Sequence, residues 1–144
     1  MVVSQWSDLK EKTFHFFFII KGGKNMKFDE DKIIQSIINR KQLKPRFSKN
    51  SNVYDSFTEL EKTAFEDSDL SKKHKELMAL SISIVIKCEP CIEWHVQQAY
   101  LAGASDEEIF ETIDVAIEMG GGPAAAYSRF ALNALDFHKK QTTN

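Results

Sequence analysis

Lys87-Cys88-Glu89-Pro90-Cys91-Ile92-Glu93-Trp94-His95 holds both cysteines of the 144-residue chain, spaced C-x-x-C, with a histidine four residues after the second. Proline sits without penalty only in the first turn of a helix, so this stretch predicts a helix starting at or just after Cys88, with Pro90 in its first turn. Cys91 and His95 then lie one turn apart on the same face. The amino end of a helix favours negative charge, which lowers a thiol pKa and raises the thiolate fraction that reacts. Two thiols this close in sequence can close into a small disulfide ring, so a reversible dithiol/disulfide centre is the first expectation.

The flanking segments read as helices. Upstream, a helix starting near Ser71 carries Leu77, Met78, Leu80, Ile82, Ile84, Val85 and Ile86. It is apolar nearly all round in its second half, the pattern of a central buried element. Glu76 opens its apolar portion, twelve residues ahead of Cys88. Downstream, the cysteine helix runs to about Ala102, where Gly103 is a natural stop. Ser105-Asp106-Glu107-Glu108 reads as an S-x-x-E capping box opening a helix through Ile109, Ile113, Ala116 and Ile117. Gly120-Gly121-Gly122-Pro123 closes that helix and starts a last one from about Ala124 to His138, with Tyr127, Ala131 and Leu135 on one stripe. Its small residues, Ala124-Ala125-Ala126 and Ala131, allow close packing against a neighbour. The glycine run lacks the preceding strand and following lysine of a phosphate-binding loop.

From Asp29 another helix carries Ile33, Ile34, Ile37 and Ile38 on one stripe, and Lys44-Pro45 is expected to end it. A further helix follows Ser51-Asn52, with Val53, Tyr54, Phe57, Leu60, Ala64 and Phe65 recurring at threes and fours. No segment alternates convincingly as a strand and no repeat is visible. The expected fold class is all-α, with about six helices in one domain, a size that suits a chain of 144 residues.

A formal charge of −2 with lysines and glutamates interleaved gives no basic face for nucleic acid. The apolar run Thr13 to Ile20 is too short to span a bilayer and has no cleavage site after it, so neither a membrane anchor nor a signal peptide is expected. Lys21-Gly22-Gly23-Lys24-Asn25 ahead of Met26 can be encoded by a purine-rich run resembling a ribosome-binding site. Residues 1–25 are therefore expected to be a non-native leader or disordered extension, with 26–144 as the helical domain; an intact mass starting at Met1 in native protein refutes this. The alternative is an added strand or helix packed on a partner. A single tight cysteine pair suits a reducing compartment, so a cytoplasmic protein is expected.

Glu76, eleven residues, Cys88-Glu89-Pro90-Cys91, three residues and His95 together resemble the E-x(11)-C-x-x-C-x(3)-H signature of the AhpD-like alkylhydroperoxidases, within the carboxymuconolactone decarboxylase superfamily. Ala102 to Ile109 and the Gly120–Pro123 turn are similar as well, so the resemblance covers about residues 50 to 139. It implies an all-helical fold assembled as a homo-trimer or homo-hexamer. It implies thiol-dependent reduction of a hydroperoxide, or related disulfide chemistry, with recycling by an external dithiol or protein thiol and without a cofactor. Cys88 and Cys91 would be the redox pair, and Glu76 and His95 the proton relay. The resemblance favours Cys91 as the attacking thiol and Cys88 as the resolving one, whereas helix-terminus logic allows either. The decarboxylase branch lacks the paired cysteines. Glu89 between the cysteines is a departure, because its charge opposes thiolate formation.

Other assignments compete. The cysteines can be small core residues, or zinc ligands with His95 and Glu76, although His15, His74 and His138 offer no second ligand pair. Glu76 can be a solvated residue beside Lys72, Lys73 and Lys75. A non-catalytic helical oligomer that switches on disulfide formation, or binds a partner, needs only the thiols. Trp94 and Tyr100 are expected in the core or an interface, His74 and His138 at the surface.

Overall fold

The computed structural model describes residues 24–142, with side chains from residue 29. The leader expected at 1–25 lies outside the described residues, apart from Lys24 and Asn25 at the start of the first helix. Five helices follow, α1 (Lys24–Asn50), α2 (Asn52–Ala64), α3 (Lys72–Val85), α4 (Glu89–Leu101) and α5 (Asp106–Thr142), with no strand among the described residues.

The helix starts are those that the side chains specify. Ser51 and Ser71 cap α2 and α3, each accepting a backbone N–H from three residues on (3.2 Å from Tyr54 and 3.4 Å from His74). At α5 the capping box is reciprocal: Ser105 Oγ accepts from Glu108 N at 3.2 Å, and Glu108 Oε2 accepts from Ser105 N at 2.9 Å. Gly103 follows the end of α4 in the left-handed region at φ 85°, and the next residue, Ala104, donates back to Ala99 O at 3.0 Å.

Helices α3, α4 and α5 pack on one another and form the core, with α1 laid across α4 and α5 and α2 attached to α1. Leu80 and Ile84 of α3, Ile92 and Val96 of α4, and Ile109 of α5 lose all exposure. Each such side chain contributes about 1.5–3 kcal/mol of burial free energy. Ala131 and Ala134 are also fully buried, so the small residues of the last segment serve packing inside the subunit.

Several expectations are corrected. Among the described residues there are five helices, and the two expected on either side of the glycine run form one long element, α5, broken by a kink at Gly121 (φ 64°, ψ −150°). That conformation is essentially restricted to glycine. Helix α1 does not end at Lys44 but runs through Pro45 to Asn50. Pro45 deprives the Lys41 carbonyl of its helical donor, but both residues are exposed and water can replace it. The isoleucine stripe of α1 splits: Ile33 is 1% exposed, whereas Ile34 and Ile38 are 39% and 38% exposed. α3 is buried on one face only, with Met78 (54%), Ile82 (58%) and Ile86 (62%) open. The apolar positions of α2 are open too, Val53 at 80% and Leu60 at 65%.

Candidate active site

The cysteine pair is positioned by a tight connection between α3 and α4. Lys87 takes a left-handed φ of 62°, unusual for a side chain of this kind, and Cys88 N donates to Ser83 O at 3.0 Å. The connection folds α4 back along α3. Glu76, on α3 before this turn, and His95, on α4 after it, meet side chain to side chain at 2.8 Å.

Cys88 is the N-cap of α4 and Glu89 and Pro90 its first helical residues. The missing N–H of Pro90 is harmless there, because the first donors of a helix have no intrahelical acceptor. Cys88 and Cys91 are joined in a disulfide, with their Cα atoms 5.2 Å apart. The Glu89 carboxylate between them receives Lys32 Nζ at 2.9 and 3.1 Å, so its opposition to a thiolate is offset by a cation from α1.

Glu76 is 2% exposed, not a solvated residue beside the lysines. His95 Nδ1 lies 2.8 Å from its Oε2. A carboxylate there accepts the Nδ1 proton, which leaves Nε2 as the basic nitrogen of the neutral ring. The ring is also held on its face by Phe65, stacked at 5.4 Å between centroids. Cys88 and Cys91 thus stand at the start of α4 and His95 one turn after Cys91, with the buried acid Glu76 hydrogen-bonded to the imidazole.

Cys91 and His95 open on a cleft of about 490 Å³ between α1, α2 and α4; Cys88 is not in its lining. Its walls are Leu43, Phe47, Tyr54, Phe57, Pro90 and Trp94. Phe47 and Tyr54 stack at 4.8 Å across the α1–α2 junction. The wall at Phe47 exists because α1 continues past Pro45. Trp94, expected in the core or an interface, lines this cleft instead, with the Arg40 guanidinium 4.4 Å from its ring centroid. Its Nε1 donates to Glu61 Oε1 at 3.1 Å.

Behind the cleft lies a network that the sequence did not announce. Glu93 is fully buried, and its carboxylate accepts from Arg40 Nη1 at 2.5 Å, Arg40 Nη2 at 3.3 Å and Ser36 Oγ at 3.1 Å. His138 Nε2 lies 3.1 Å from its other side, so His138 is buried at 4% exposure, not at the surface as expected. Burial alone would push the Glu93 pKa up, but hydrogen bonds from His138 and Arg40, with their charges, hold it below the ordinary value of 4.5. Glu93 shares the buried face of α4 with Ile92, Val96 and Ala99. That register was a usable signal, but partners more than 40 residues away are invisible to periodicity. His74 is exposed and Tyr100 packs against the core, as expected. Among the described residues no group of three or more His, Cys, Asp or Glu side chains is placed to hold a metal ion.

The chain belongs to the carboxymuconolactone decarboxylase family, whose model matches residues 51–134, more than half of its length. It is 42% identical over 86 residues to uncharacterized protein 4 in the cox locus of Paracoccus denitrificans, covering 60% of this chain and 78% of that protein. An uncharacterized protein of Cupriavidus necator is 36% identical over 81 residues, covering 56% and 72%. Among solved structures, it is similar to a carboxymuconolactone decarboxylase family protein of Thermotoga maritima described as having a possible involvement in the antioxidative response. That match has a TM-score of 0.71 and 32% identity, over 76% of this chain and 94% of the other. A family member from Legionella pneumophila matches with a TM-score of 0.59 and 30% identity, over 79% and 96%.

Proposed function

We propose that this protein is a thiol peroxidase or disulfide reductase of the AhpD-like class, acting in a reducing compartment such as the cytoplasm. The observation that carries the proposal is the convergence of Cys91 and His95 on one apolar cleft, with Glu76 hydrogen-bonded behind the imidazole. His95 Nε2 takes the Cys91 proton, and Glu76 stabilises the imidazolium that forms. The thiolate attacks the peroxide, the O–O bond breaks, and the imidazolium returns the proton to the departing alkoxide. The Cys88 thiol then displaces water from the Cys91 sulfenic acid and closes the disulfide. An external dithiol reopens it by exchange, itself leaving as a disulfide.

The lining favours an organic hydroperoxide over hydrogen peroxide, because Phe47, Phe57 and Trp94 offer apolar surface that only a substrate with an apolar body can cover. The open apolar side chains of α3 and α5, such as Ile82 at 58% and Met119 at 73%, support assembly with further copies of the chain as a homo-trimer or homo-hexamer.

Steady-state hydroperoxide consumption with several dithiol donors tests the proposal. Cys88→Ser and Cys91→Ser should abolish turnover, and Glu76→Gln or His95→Ala should lower kcat by about 10²-fold. Unchanged turnover in the Glu76 and His95 variants sinks the relay. No turnover in the parent with any donor leaves the disulfide as a switch, and stoichiometric zinc in purified protein turns the pair into metal ligands.

A further inference from the structure

A second cleft adjoins the first, and its lining carries more charged side chains. It measures about 620 Å³ and is bordered by charged and polar side chains, including Glu59, Glu66, Asp67, Lys72 and Gln98. Glu76 borders this cleft and not the apolar one, whereas His95 and Cys91 border the apolar one and not this. Lys44, Thr58, Glu61 and Trp94 border both, and Trp94 Nε1 donates to Glu61 Oε1 at 3.1 Å where the two clefts adjoin. The 2.8 Å contact between Glu76 and His95 is thus a polar link from one compartment to the other.

We propose that the polar cleft is the proton port of the redox site: Glu76 exchanges protons with water there, while hydroperoxide and dithiol come and go through the apolar cleft. The inference rests on the peroxidase function proposed above. When the Cys91 thiolate rests beside a neutral His95, the thiol proton having left the site through Glu76, oxidation consumes one thiolate, one thiol, one hydroperoxide and one proton drawn back onto His95, and yields the disulfide, the alcohol and one water. Reduction by an external dithiol breaks the disulfide, returns the thiolate and the thiol, forms the donor's disulfide and releases one proton. Each half-cycle therefore moves one proton between site and solvent. A bulky hydroperoxide or dithiol seated in the apolar cleft excludes water on that side at the moment of transfer. A charged cleft that admits water to the back of Glu76 keeps the relay supplied while the front is occupied.

Formate, a carboxylic acid small enough to occupy the space of a missing glutamate head, is the probe. In Glu76→Ala, with cumene hydroperoxide and dithiothreitol, kcat should fall by about 10²-fold, and formate should restore about tenfold of it without raising KM for the hydroperoxide. Adding Gln98→Trp, which fills the polar cleft, should abolish that rescue. Gln98→Trp in the parent chain should lower kcat with KM unchanged, a measurement that stands even if Glu76→Ala does not fold. Rescue that competes with the hydroperoxide, no rescue of folded Glu76→Ala, or parental kcat in Gln98→Trp overturns the port. If the parent consumes no hydroperoxide, the peroxidase function fails separately. The port is then read from Cys91 alkylation by iodoacetamide in reduced Glu76→Ala, which formate should accelerate and Gln98→Trp should block. Alkylation indifferent to formate overturns the port on that arm.

Discussion

Replacing Glu93 with glutamine removes one negative charge from the middle of α4 while keeping the shape of the side chain. The carboxylate is fully buried and receives three hydrogen bonds, two from Arg40 and one from Ser36, with His138 at its remaining edge. Removing one member of a buried ion pair costs about 3–5 kcal/mol, because the partner's charge stays buried without compensation. The Arg40 side chain retains 27% exposure, so water can reach it and the lower end applies, about 3 kcal/mol. For a chain of 144 residues, that corresponds to a fall in Tm of about 9 °C.

The pH dependence is a second, independent signature. The folded-state pKa of Glu93 lies below its ordinary value of 4.5, so the ionised carboxylate adds stability that is fully present above that value. This stability is lost as pH falls through the depressed folded value. Glutamine has no such dependence, so the gap between parent and variant should be largest above about pH 4.5 and shrink in more acidic solution. Urea unfolding followed by circular dichroism, at one fixed protein concentration because assembly would add a mass-action term, measures both. A destabilisation under about 1 kcal/mol, or a gap that does not change with pH, refutes the assignment of Glu93 as the buried anion that clamps α1 and α5 to α4.

Two further outcomes are expected. Phe57→Ala, which trims the cleft wall at a position already 57% exposed, should raise KM for cumene hydroperoxide several-fold and leave the KM for hydrogen peroxide near its parental value; equal effects on both would contradict the substrate preference. Gly121→Ala should destabilise the chain by about 2 kcal/mol through its backbone alone, since a Cβ at φ 64° and ψ −150° is strained even though open space surrounds it. Thermal unfolding of that variant beside Gly122→Ala, where no positive φ is required, checks it.

Local chemistry was legible throughout. The cap serines, the capping box at Ser105, the stop at Gly103 and the start of α4 at Cys88 follow from side chains that act within a few residues, which is why they could be read without a structure. The pairing of Glu76 with His95 was implied by the resemblance to the AhpD-like signature and not by any local rule, and the two side chains meet at 2.8 Å across the α3–α4 turn. Pro45 misled because proline's penalty inside a helix is finite and falls on an exposed stretch. The outer face of α3 misled because periodicity shows that a face is apolar and not what covers it.

The amino-acid sequence by itself determined the all-helical class and the helix starts and stops, because each depends on interactions within a few residues, and it brought forward Glu76, Cys88, Cys91 and His95 as candidates. Only the tertiary structure decided that Arg40 and His138 share a buried anion, Glu93, on the cysteine-bearing helix. Only it decided that the prolonged α1 and α2 wall a cleft over Cys91, with Glu76 bordering an adjoining one. Those arrangements depend on how distant helices are set against each other, and a burial free energy summed over many residues leaves no mark at any single position.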